Sequence, residues 1–206
     1  VVDYKTGKKS FDLNDVRYGL GIQMLLYLFT LEREGQRYFG YPIVPCGVLY
    51  QPARDVILRR ERTITDEKLR ADLQSALRRT GLVLSDPQVL RAMEHSALES
   101  PCYLPIGVKK DGSLSGDLAT AAQLGHLGRY VDRLLHRITG EIARGNIDAD
   151  PYVRGPQDSA CTHCAFASAC YFDEGRDTRR QIRRMDEAAL WAALETENGE
   201  EGAHGC

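Results

Sequence analysis

Three groups of side chains in this sequence have the types and spacing to do chemistry. The first is in the opening stretch "VVDYKTG". On a strand, Asp3 and Lys5 project to one face and Tyr4 to the other. A carboxylate beside an ammonium suits hydrolysis of a phosphodiester. Asp3 offers oxygen to Mg2+ or Mn2+, and Lys5 offsets charge that grows on the phosphoryl oxygens or positions the attacking water. Taken alone, the tripeptide reads more simply as an ion pair on a solvated edge strand. The second group is Gln23 and Tyr27 in "GLGIQMLLYL". They are four apart and share a helix face. Read as buried, Gln23 needs partners. An ordinary core Gln beside a core Tyr is the plain alternative. The third group is "CTHCAFASAC", with Cys161, Cys164 and Cys170 in a C-x2-C-x5-C spacing. Three soft thiolates on a short loop suit zinc or an iron–sulfur cluster better than an incidental disulfide or free thiols. His163 lies between two of them and would have to fold back on its neighbours to join.

Positioning these groups takes a regular scaffold. Residues 1–5 read as a strand. The apolar spacing of Val16, Leu20, Met24, Tyr27, Leu28 and Leu31 predicts one largely buried helix from Leu13 to Glu34, with Gly19 and Gly21 inside it. "YPIVPCGVLYQ" and "DVILRRE" read as strands. Thr65 caps a helix that Arg78, Arg79 and Gly81 close, and "SDPQVLRAME" starts another with Pro87 in its first turn. "YLPIGVKKDGSL" reads as a strand and a turn at Asp111-Gly112. A long helix is expected from Thr120 to Arg144, ended by Gly145, and a last one from Thr178 to Glu195.

The totals narrow the classes. The chain has 206 residues, 43% of them hydrophobic, with 27 basic against 29 acidic side chains and a formal charge of −2. A sizeable core can form, and no bulk polycation is present, so any nucleic-acid contact must come from local patches. No apolar run is long enough for a membrane span. Six cysteines, three of them clustered, do not resemble a secreted disulfide framework. The arginines at 59, 60 and 62 and at 176, 179, 180, 183 and 184 read first as solvated faces, and second as a DNA-backbone or partner surface.

A D-x-K strand followed by G-x-x-x-Q-x-x-x-Y, here "DYK" and then Gly19, Gln23 and Tyr27, resembles the RecB-type branch of the PD-(D/E)XK nucleases. "GNIDADPY" and the cysteine loop follow in the order seen in AddB-type nucleases, so the resemblance spans nearly the whole chain. It implies an α/β fold: a truncated PD-(D/E)XK core with a mixed sheet flanked by helices (residues 1–150), then a cysteine-rich cluster segment with a C-terminal helix and tail (151–206). It implies that Asp3 and the Tyr4 carbonyl bind Mg2+ or Mn2+, that Lys5 is catalytic, and that Gln23 and Tyr27 lie beside the site. It also implies that Cys161, Cys164 and Cys170 bind a [4Fe–4S] cluster whose fourth cysteine lies upstream, outside this chain. The family's upstream His or Glu and upstream metal-binding Asp would lie there too. The expectation is therefore a C-terminal piece of a larger, cytoplasmic subunit, inactive by itself. With an AddA-type helicase–nuclease partner, the parent would cut single strands of unwound DNA and resect double-strand breaks for recombinational repair. Two other readings use the same residues: a catalytically inert module that binds DNA ends or a partner subunit, and a zinc-stabilised interaction module.

Overall fold

The computed structural model describes residues 1–3, 9–53, 56–58 and 63–196. Val1–Asp3 form no strand, and both valines are exposed. Tyr4 and Lys5 lie outside the described residues, and so do Arg59, Arg60, Arg62 and Cys206.

The helix expected over 13–34 is two helices, α1 (Leu13–Arg17) and α2 (Gln23–Phe39). Gly19 and Gly21, at φ +79° and +67°, adopt the left-handed region that breaks a helix, so their role is to end α1 rather than to thin a continuous rod. Within α2 only Leu25 and Gly35 are fully buried, so this helix is amphipathic and superficial rather than largely buried. Gly40 in the left-handed region ends it, its N–H returning to the Gln36 carbonyl at 3.1 Å. Strand β1 (Gly47–Tyr50) is the apolar end of "YPIVPCGVLYQ". In "DVILRRE" the described residues Val56–Leu58 form no strand.

Helix α3 (Asp66–Ala76) starts where Thr65 caps it, the hydroxyl accepting from the Lys68 N–H at 3.4 Å. It closes at Leu77, before the arginines expected to end it. Residues 80–84, "TGLVL", are not helix cap but strand β2 (Thr80–Leu84), buried from Gly81 onward. A continuous apolar run this short carries no period to distinguish it from a helix end. Asp86 caps α4 (Pro87–Met93) by accepting from the N–H groups of Gln88 (2.8 Å) and Val89 (3.0 Å). Strands β3 (Ile106–Val108) and β4 (Leu114–Gly116) form the hairpin expected around Asp111-Gly112, with Asp111 accepting from the Ser113 N–H at 2.9 Å. After β5 (Leu118–Ala119), Thr120 and Gln123 exchange side-chain-to-backbone bonds in a capping box that starts α5 (Ala121–Ala143). Gly145, at φ +69°, follows its end as expected. Then come β6 (Tyr152–Gly155), β7 (Asp158–Ser159), α6 (Ala167–Cys170), β8 (Arg180–Gln181) and α7 (Glu187–Thr196). The last helix therefore starts later than Thr178, because Arg180–Gln181 pair with β6 instead. No described helix is long and apolar enough to cross a membrane.

The chain divides into two compact units, Val1–Asp12 with Gly21–Gly128, and Leu13–Leu20 with Arg129–Cys206. The first holds a mixed sheet in the order β1-β2-β5, with β2 antiparallel to β1 and parallel to β5. Its core joins Val83, Leu90, Ala97, Leu104 and Ile106, packed by Leu49, Met93 and Leu118. Glu94, at the end of α4, gathers the backbone N–H groups of Cys102 (2.6 Å), Tyr103 (3.2 Å) and Leu104 (3.0 Å) and so fixes the approach to β3. Partial burial pushes its carboxyl upward. The three N–H donors and the positive charge of Arg79 outweigh that and hold it below the ordinary carboxylate range. Glu94→Gln is expected to weaken this region by about 2 kcal/mol, near the value of a hydrogen bond to a charged group, seen as faster hydrogen exchange at Cys102–Leu104. Because the folded pKa is depressed, the Glu94 contribution is full above the unfolded value and disappears as pH falls through the folded one.

The second unit is discontinuous in sequence. Its sheet runs β7-β6-β8, with β8 parallel to β6. The Asn14 amide bonds the Met185 backbone twice, donating to its carbonyl (3.3 Å) and accepting from its N–H (2.8 Å). The Tyr18 hydroxyl accepts from the Arg183 N–H at 3.1 Å, and Tyr130 donates to the Arg17 carbonyl. Arg154 bridges Asp15 (2.7 Å) and Asp158 (3.2 Å). Val16, Leu190, Trp191 and Leu194 are buried in this unit.

Candidate active site and cysteine pocket

In the first unit, the break at Gly21 sets where α2 begins, and so puts Gln23 in its first turn. Gln23 Nε2 donates to the Tyr27 hydroxyl at 2.8 Å. The i, i+4 spacing thus produces a bonded pair, but an exposed one. The expectation of a buried Gln23 is corrected: it lies on the open face of an amphipathic helix. A pocket of about 220 Å³ adjoins the pair, between α2 and β1, lined by Val1, Met24, Tyr27, Leu31 and Val48 among others. Two residues beyond Val1, Asp3 is half-buried, and its Oδ2 is shielded from solvent. A shielded anionic oxygen is the kind of donor a hard divalent cation takes. Lys5 and the Tyr4 carbonyl fall outside the described residues.

In the second unit, Cys161, Cys164 and Cys170 are free, exposed, and line one pocket of about 240 Å³ with Asp150, Phe172 and Arg180. Local turns bring them there. The Cys164 N–H bonds the Cys161 carbonyl at 3.3 Å, and the Cys170 N–H closes α6 on Phe166 at 2.9 Å. Among the described residues no group of three His, Cys, Asp or Glu side chains could hold one metal ion. An iron–sulfur cluster spreads its thiolates over separate irons, so its ligands must face a common pocket rather than a common point. The donor set fits that arrangement. Cys46 and Cys102 are free and half-buried in the first unit.

Asp150 and Phe172 were not expected at the cysteines. The repeated acid in "DADP" was the one signal in the residues that could have placed Asp150 there. Arg180 was expected on a solvated face. Its Nε donates to the Asp150 carbonyl at 2.8 Å and pairs with the Asp150 carboxylate at 3.2 Å. Arg176 pairs with Asp173 at 3.7 Å, and Arg179 pairs with Glu174.

Residues 1–171 match the family model of the PD-(D/E)XK nuclease superfamily. The chain belongs to this superfamily. The match takes in Asp3, Gln23, Tyr27 and the three clustered cysteines. Among curated proteins, the chain is similar to an ATP-dependent helicase/deoxyribonuclease subunit of Acetivibrio thermocellus, 35% identical over 204 residues, covering 97% of this chain and 18% of the relative. It is similar to the protein of the same name from Clostridium acetobutylicum, 33% identical over 205 residues (98% and 18%), and from Desulforudis audaxviator, 34% identical over 209 residues (98% and 18%). The chain therefore spans less than a fifth of the length of these relatives. The mixed sheet and helices of the first unit agree with the α/β class expected for the superfamily.

Proposed function

We propose that this chain is the nuclease portion of an AddB-type helicase–nuclease subunit and that it hydrolyses phosphodiester bonds of single-stranded DNA. The observation that carries the reading is the Gln23–Tyr27 pair, bonded at 2.8 Å beside the pocket that Val1 lines, two residues from Asp3. Superfamily membership makes this the natural place for cleavage. Asp3 and the Tyr4 carbonyl would hold Mg2+ or Mn2+, and the bound ion supplies Lewis acidity toward the phosphoryl group. Lys5 offsets the charge that develops during attack. Gln23 and Tyr27 orient the strand from the helix above. Cys161, Cys164 and Cys170 would give three ligands to a [4Fe–4S] cluster, the fourth coming from outside this chain. The partner is an AddA-type helicase–nuclease subunit, the setting the cytoplasm, and the cellular task resection of double-strand breaks. The word "subunit" in the names of the relatives supports a partner, and "deoxyribonuclease" supports a DNA substrate.

The test is cleavage of a labelled single-stranded oligonucleotide by the full-length protein with Mg2+, with and without chelator, beside Asp3→Asn. Cleavage should need the metal and disappear in Asp3→Asn. Undiminished cutting by that variant overturns the reading. Gln23→Ala should lower kcat/KM by about tenfold, roughly 1.4 kcal/mol of transition-state stabilisation. Tyr27→Phe, which removes the bonded hydroxyl, should do less.

A further inference from the structure

Helix α2 carries more than the pair at its start. Tyr38 lies 11 positions after Tyr27, three turns of helix, so the two rings stand on one stripe about 16 Å apart. Gln23, Tyr27, Glu34 and Tyr38 follow this stripe in steps of four and seven. The far end is strongly aromatic and open: Tyr38 is 67% exposed, Phe39 51% and Tyr41 61%. These are large rings to leave in water. The Arg37 guanidinium sits 5.6 Å from the centroid of the Tyr38 ring, and the Phe39 and Tyr41 rings lie 6.2 Å apart across the Gly40 turn.

Charge reaches this end through Arg37. Its guanidinium pairs with the Glu34 carboxylate at 3.6 Å, a long contact on an open surface. Such a pair holds its arginine weakly, so Arg37 can exchange the carboxylate for a phosphate while staying beside the Tyr38 ring. Exposed rings joined to an arginine are the composition with which proteins hold single-stranded nucleic acid without regard to sequence. The rings stack on bases, while the guanidinium adds cation–π contact and phosphate neutralisation.

Resting on the nuclease reading above, we infer that the exposed stripe of α2 is a track for single-stranded DNA, with bases stacking at Tyr38 and the Phe39–Tyr41 pair and a phosphate meeting Arg37. The track leads along the helix to Gln23 and Tyr27. It positions substrate and takes no part in bond breaking. The strand is recognised by its flat bases and its charge, so the track has no sequence preference.

The experiment uses the full-length protein. An oligothymidylate carrying one 5-iodouracil is irradiated in chelator, where no cutting occurs, and adducts are mapped by mass spectrometry. The expected adduct lies on the peptide containing Tyr38, Phe39 and Tyr41. Tyr38→Ala should reduce it and raise KM for a short oligonucleotide about tenfold, within the range of one lost base stack. Tyr38→Phe should restore both, because stacking needs the ring and not the hydroxyl. Tyr38→Leu, equally apolar, should not. Absence of adducts on this peptide, or Leu serving as well as Tyr, overturns the track. So does a Tyr38→Ala protein that loses a protein partner while its adducts are unchanged, which would make the face a protein-binding surface. A Tyr38-dependent adduct on a protein that cuts no DNA would sink the nuclease reading and leave the track standing. Normal metal-dependent cutting with no adduct would do the reverse.

Discussion

Full-length protein carrying Lys5→Ala is expected to cut single-stranded DNA at least about a hundredfold more slowly, the scale of losing one group aimed at developing transition-state charge. The loss should fall on kcat with little change in KM, because such a group acts when charge appears rather than when the strand binds. Melting temperature and ATP hydrolysis should stay at wild-type values, since a side chain that serves charge contributes little to packing. Lys5→Arg should not rescue cutting. A guanidinium is broader than an ammonium and delivers its charge from a planar fork rather than a point. The comparison with Asp3→Asn separates the two roles. Raising Mn2+ should partly recover a weakened metal site in Asp3→Asn, and should do nothing for Lys5→Ala. Rapid cleavage by Lys5→Ala would remove Lys5 from the chemistry.

Cys164→Ser carries the second large effect. Cys164 is the middle thiol of the three that line the second unit's pocket. Coordination at a thiolate site is coupled to folding of the segment that bears it, so loss of a ligand removes folding free energy as well as a metal. Anaerobically purified full-length protein should lose its visible iron–sulfur absorbance and most of its iron. Residues from β6 to α6 should become sensitive to protease while the first unit keeps its protection. Cys46→Ser and Cys102→Ser, in the other unit, should leave the absorbance unchanged. Full iron content in Cys164→Ser would show that these thiols hold no cluster. Zinc in place of iron in the wild type would favour the zinc-stabilised alternative.

The parts of this architecture that could be read from residues alone are those set by local chemistry. Thr65 and Asp86 cap helices because their side-chain oxygens reach N–H groups two or three positions on, and that rule needs no tertiary knowledge. The Asp111-Gly112 turn and the long stripe of α5 were legible for the same reason. What escaped reading depended on partners distant in sequence. "TGLVL" is a strand because β1 and β5 lie on either side of it, and Arg180–Gln181 leave the last helix because β6 takes them. At the site, spacing foretold that Gln23 and Tyr27 would meet. It did not foretell their exposure, because the buried flank of α2 is fixed by what packs on Leu25 and Gly35, not by the apolar count around Gln23.

The bonds between Asn14 and Met185 bear on how the protein is made. They join positions 171 apart. A ribosome working at about 5–20 residues per second needs roughly 10–30 seconds to pass from one to the other. For that interval α1 is outside the tunnel with its anchor not yet synthesised, while every described strand and helix of the first unit can already find its neighbours. The second unit must therefore close late, by drawing an early segment back onto a newly made end. A nascent chain halted before Met185 would carry α1 as an exposed amphipathic stub, a handle for chaperones and proteases that the finished protein no longer presents.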